Sequence, residues 1–90
     1  MLPVRPPAAF KKDLKKAVKQ GRDLQRLQEV LEQLAVPAPL PPACKDHKLK
    51  GNWQDFRECH VQPDWLLIYT ITDFELRPVR LGTHAELFSK

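Results

Sequence analysis

The three histidines of this 90-residue chain all fall in its second half: His47 in KDHKLKG, His60 in RECHVQPDW and His84 in GTHAELF. Each stands beside a turn signal or a charged residue, and Asp64 follows His60 by four positions. Imidazole is the side chain whose unperturbed pKa lies nearest neutrality, so three of them with a carboxylate point to acid–base chemistry. Glu58, two positions before His60, shares its face if that segment is a strand and would tune the imidazole. A metal site is the competing use of the same residues. Cys44 with His47 forms a C-x-x-H half-motif, and Cys59 adjoins His60. Consecutive strand residues point to opposite faces, however, which suits the second pair poorly for chelation.

The elements that must position these groups are legible in the pattern. Leu2 to Pro6 reads as a short extended segment, because Pro3, Pro6 and Pro7 exclude a helix interior there. From Ala8 the period becomes helical. Phe10, Leu14, Ala17 and Val18 form one stripe, Lys11, Lys12, Lys15, Lys16 and Lys19 take the other sides, and Gly21 supplies a stop. Leu24, Leu27, Leu31 and Leu34 mark a second amphipathic helix ending by Pro37. Two such helices form an antiparallel hairpin with a stripe each to bury, so a third layer must come from the remainder. Residues 36–46 (VPAPLPPACKD) read as a stiff extended connector. Trp53–Val61 is the first strand of a meander, Gln62-Pro63-Asp64 a turn, and Trp65–Ile71 a central strand apolar on both faces. Phe74–Leu81 is the third strand, with Pro78 marking an edge or bulge. Gly82 then frees a turn that presents His84, and Leu87 and Phe88 dock back. The fold class is α+β: a helical hairpin on an antiparallel sheet of about four strands, residues 1–90 forming a single domain.

Composition fits that size. With 42% hydrophobic and 29% charged residues the chain is of ordinary globular type. No apolar run reaches the roughly 18–20 residues of a membrane span. The N-terminal segment has no apolar signal core, so export is not expected and the cytoplasm is the expected compartment. Two cysteines without a C-x-x-C arrangement read as reduced thiols. The net charge of +4 is unevenly distributed: residues 1–26 carry +6 and residues 27–90 carry −2. A basic first quarter attracts polyanions, RNA above all. A non-catalytic nucleic-acid-binding module using that helix is therefore the alternative to an enzyme.

Taken in order, FKKDLKK, DLQRLQEVLEQL, the LPP–AC–KDHKLKGNW region, FRECHVQPDWLLIY and RLGTHAELF resemble the YafQ branch of the RelE-type bacterial toxins. The likeness runs from about Val4 to Phe88. It implies two helices on a curved antiparallel sheet, an antitoxin partner of the DinJ/RelB-like kind, and cleavage of mRNA in the ribosomal A site with no metal or other cofactor. Carried over by position, it makes His47, His60, Asp64 and His84 the catalytic group and Trp65, Arg80 and Phe88 the substrate contacts. Lys11, Lys12, Lys15, Lys16 and Lys19 would dock the ribosome and its RNA. Around His47 the chain departs from the family pattern, with Ala43-Cys44 before KDH and Lys48 after it.

Metal-free RNA cleavage uses the neighbouring 2′-OH as nucleophile, so a base, an acid and a cation for the phosphorane are required. The expected roles are His84 as acid, Asp64 or His47 as base, His60 orienting the phosphate or Asp64, and Arg80 stabilising charge. Phe88 and Trp65 would stack on a base, a common way of holding unpaired RNA.

Overall fold

A glycine and an aspartate organise the first third of the chain. In the computed structural model, which describes residues 2–36, 56–88 and the backbone of 47–48, helix α1 (Ala8–Lys19) ends in a double reverse turn. The Arg22 amide donates to the Ala17 carbonyl at 3.1 Å and the Gly21 amide to Val18 at 3.1 Å. This closure needs a left-handed residue, and Gly21 has φ +71°. Asp23 then caps α2 (Leu24–Ala35), its Oδ1 accepting the Arg26 amide at 3.1 Å.

The sheet is an antiparallel meander of β1 (His47–Lys48), β2 (Arg57–Gln62), β3 (Trp65–Ile71) and β4 (Leu76–Gly82) in that spatial order. α1 packs on β4, and α2 packs on β2. Trp65, Leu67 and Tyr69 of β3 enter the helix-side core with Phe10, Ala17, Leu27, Val30, Leu34, Cys59, Val61 and Leu81. Leu66 and Ile68, pointing the other way, are covered by Leu87 and Phe88 of a last short helix, α3 (His84–Phe88), and by Phe56. Both faces of β3 are thus buried, which is why WLLIY shows no polar alternation. Arg26 ties α2 to the sheet, its Nε donating to the Val61 carbonyl at 3.3 Å.

The strand expected from Trp53 is described from Arg57, residues 53–55 lying outside the described residues; it ends at Gln62. The third strand begins at Leu76 rather than Phe74, and the reason is local. The Thr72 hydroxyl accepts the amides of Phe74 and Glu75 at 3.2 and 3.1 Å, and this turn projects Phe74 into solvent, 81% exposed. The Pro-rich connector and Cys44 lie outside the described residues.

β4 is an edge strand engaged on its outward side at both ends. Leu76 exchanges hydrogen bonds with the N-terminal segment, donating to Pro3 and accepting from Arg5, both at 2.9 Å, while Val4 bridges it in parallel. Pro78 has no amide to offer, and the ladder shifts register beside it. Further along, the Leu81 amide donates to the Asp13 carboxylate of α1 at 3.0 Å.

Candidate active site

Register brings the site together. Glu58 stands opposite Ile68 and His60 opposite Leu66, so both point to the α3 side of the sheet. Leu66 in turn stands opposite Gly82, so His60, Leu66 and Gly82 form one row across three strands. His84, two residues past Gly82, opens α3 and is carried back over that row. The Pro63-Asp64 turn lies at the same end of the sheet. α3 is held by a capping box: Thr83 Oγ1 accepts the Glu86 amide at 3.2 Å, and Glu86 Oε1 accepts the Thr83 amide at 3.0 Å.

The resulting cluster has Glu58 at its centre. This carboxylate is 3% exposed, and its Oε1 lies 3.3 Å from His60 Nε2 and 3.6 Å from His84 Nε2. On the outer side Asp64 Oδ1 lies 3.4 Å from His84 Nδ1 and accepts the His84 amide at 3.4 Å. The two imidazoles meet edge-on with ring centres 5.9 Å apart, and the Phe88 ring is 5.9 Å from His84, one helical turn on. His84 and Asp64 are solvent-exposed while His60 is largely covered, so the cluster grades from a buried carboxylate to an open rim. Such an arrangement can hold and exchange protons at a phosphodiester lying along the rim.

Of the residues expected from sequence, His60, Asp64, His84 and Phe88 are brought together. His47 pairs through its backbone with Glu58, but its side chain lies outside the described residues. Trp65 is not at the cluster. It is 1% exposed in the helix-side core, with the Arg22 guanidinium 5.7 Å from its ring centre. Arg80 turns toward α1, its Nε and Nη2 donating to the two Asp13 oxygens at 2.7 and 3.3 Å. That carboxylate raises the guanidinium pKa further above its already high value. Lys11, Lys12, Lys15, Lys16 and Lys19 are all exposed along α1, and Lys16 is in addition ion-paired with Glu86.

Cys59 is a buried thiol on the helix side, facing away from His60, so those neighbours do not chelate together. Among the described residues, one set could hold a metal that the sequence did not suggest: one ligand atom each from Glu58, His60 and His84 lies within 4.8 Å of the others. Glu58, which the sequence offers as a charge that tunes His60 or merely solubilises an exposed strand, is buried and joins the two imidazoles. Its spacing of two from His60 was the available signal.

Comparison with known proteins agrees with this architecture. Residues 2–89 match the family model described as the bacterial toxin of type II toxin–antitoxin systems, YafQ. The mRNA interferase toxin YafQ of Escherichia coli K12 is 46% identical over 80 residues, 88% of this chain and 87% of its own. The crystal structure of the E. coli DinJ–YafQ toxin–antitoxin complex superposes with TM-score 0.90 at 42% identity, covering 98% of both chains. A metal-bound toxin from Helicobacter pylori superposes with TM-score 0.91 at 51% identity, covering 98% of this chain and 100% of that one. With the two-helix, antiparallel-sheet fold shared and the match spanning nearly every residue, the chain belongs to the YafQ family of bacterial type II toxin–antitoxin toxins.

Proposed function

We propose that this chain is an mRNA interferase: an endoribonuclease toxin that cleaves mRNA in the ribosomal A site by acid–base catalysis without a metal, and is neutralised by a DinJ-like antitoxin. The cluster of Glu58, His60, Asp64 and His84 carries the reading, and the activity named for the E. coli relative supports it. His84 is the general acid. It stands at the open rim, with Asp64 Oδ1 3.4 Å from Nδ1 and Glu58 Oε1 3.6 Å from Nε2. His60 is the base in this reading: the Glu58 carboxylate 3.3 Å from Nε2 orients the ring, and Nδ1 is the nitrogen that takes the 2′-OH proton. As the 2′-oxygen attacks phosphorus its proton passes to His60, and as the P–O5′ bond breaks His84 gives its own proton to the departing 5′-oxygen, leaving a 2′,3′-cyclic phosphate and a 5′-hydroxyl. Asp64 orients His84, and Phe88 offers a ring for a base to stack on. The exposed lysines of α1 supply the sequence-independent attraction to ribosomal RNA.

His84→Ala should slow cleavage on programmed ribosomes by about 100-fold or more, with the melting temperature unchanged. Mapping of 5′ ends after brief induction should show loss of the cuts. Full growth arrest by the variant would refute the assignment.

One observation favours a second reading. A carboxylate and two imidazoles within reach of one cation form a three-ligand set with open positions, and the H. pylori relative is metal-bound. Nitrogens used to hold a cation cannot carry the proton, so the two readings are exclusive in a single turnover. Activity that survives chelation in protein of measured metal content supports acid–base cleavage. Activity lost to chelation and restored by a divalent cation would support the second.

A further inference from the structure

We propose that Glu86, clamped by Lys16 of α1, is the positioning residue of the turn that presents His84; this rests on the acid–base reading above. Two contacts converge on the Glu86 side chain and a third ties down its backbone. Glu86 Oε1 accepts the Thr83 amide at 3.0 Å, its own amide donates to Thr83 Oγ1 at 3.2 Å, and Oε2 pairs with Lys16 Nζ. Glu86 also packs closely over the Gly82 backbone, where an added Cβ would stand 3.2 Å from Glu86 Oε1. His84 lies between Gly82 and Glu86, so its backbone is held on both sides. One turn before Lys16, Asp13 binds the Leu81 amide and Arg80. Asp13 and Lys16 share a face of α1 at a spacing of three, and together they fix the end of β4 and the start of α3. A five-residue helix cannot hold its own geometry; the long helix beside it supplies the reference. Lys16 is thereby removed from the docking lysines and becomes part of the machinery that aims the acid.

The test compares Glu86→Gln, Lys16→Met, Lys16→Arg and the Glu86→Gln/Lys16→Met double variant in the full chain on programmed ribosomes. Each neutralising single variant should lower kcat by about 10-fold with KM, salt dependence and melting temperature little changed, because the acid is displaced rather than removed. The double variant should be no slower than either single one, since both break one contact, and Lys16→Arg should retain the rate. Amide exchange at Thr83 and at Leu87, whose amide donates to the Thr83 carbonyl at 3.0 Å, should accelerate in both single variants whatever the activity assay shows. Multiplicative losses in the double variant, a shift in KM and salt dependence with kcat intact, or unchanged exchange would overturn the clamp and return Lys16 to RNA docking. Full activity of His84→Ala would instead defeat the catalytic reading, leaving the exchange data to decide the clamp alone.

Discussion

Trp65→Ala separates a core residue from an RNA ligand. The indole is 1% exposed, sits among Leu27, Val30, Val61 and Leu67 in the helix-side cluster, and is covered by the Arg22 guanidinium. Truncating a buried tryptophan leaves a cavity that its neighbours only partly fill, at a cost of about 3–5 kcal/mol. A 90-residue domain has roughly 5–13 kcal/mol to lose, so the variant gives up about a fifth or more of its stability. At about 4–8 °C per kcal/mol for a domain of this size, the melting temperature should fall by at least ~12 °C. Urea titration followed by far-UV circular dichroism measures the loss directly, and Phe88→Ala serves as the comparison. Phe88 is half-buried beside His84, so its truncation should cost roughly 1–2 kcal/mol and act mainly on cleavage. A Trp65→Ala protein within about 1 kcal/mol of wild type that had lost RNA binding would refute this reasoning and restore Trp65 to the substrate contacts.

Other outcomes follow from single contacts. Gly21→Ala meets no atom within 4 Å but must adopt φ +71°, so it should destabilise the chain by about 1–2 kcal/mol in denaturant titration. Asp13→Ala leaves the Leu81 amide and the Arg80 guanidinium without their acceptor and should cost about 1–3 kcal/mol, seen as a lower denaturation midpoint. Lys16 first, and the Thr83 amide second, hold the Glu86 carboxyl below its ordinary value of 4.5. The sign follows: this contribution is complete above 4.5 and is lost as pH falls through the lower folded value, so Thr83 amide protection should drop on acidification below 4.5. Protection independent of pH across that window would contradict the pairing.

Much of the fold was legible because its signals are local. The helical stripes, the Gly21 stop, the doubly apolar WLLIY strand and the turn before His84 each announce themselves within a dozen residues. Phe74 reads as strand in the sequence because it is apolar, while the Thr72 hydroxyl two positions earlier closes a turn there. The candidate site divides in the same way. His60, Asp64 and His84 are marked by residue type, and their convergence depends on a register that places Leu66 between His60 and Gly82. What stayed hidden is non-local: the Asp13–Arg80 pair spans 67 positions, and nothing near either residue announces the other. Lys16 is indistinguishable in sequence from Lys11, Lys12, Lys15 and Lys19, and only the placement of α3 singles it out.

The outer margin of β4 restricts how this molecule can associate. Many proteins recognise a partner by lending it a sheet margin on which to lay an extra strand. Here the N-terminal residues already occupy the start of that margin, a proline withholds a donor midway, and a carboxylate from α1 closes the far end. An incoming strand would have to evict the chain's own first residues. Neutralisation by this route would therefore be slow to begin, whereas a ligand settling over the histidine rim or the lysine-bearing helix meets no resident competitor among the described residues. The same closure guards the chain against pairing edge-to-edge with copies of itself along this side.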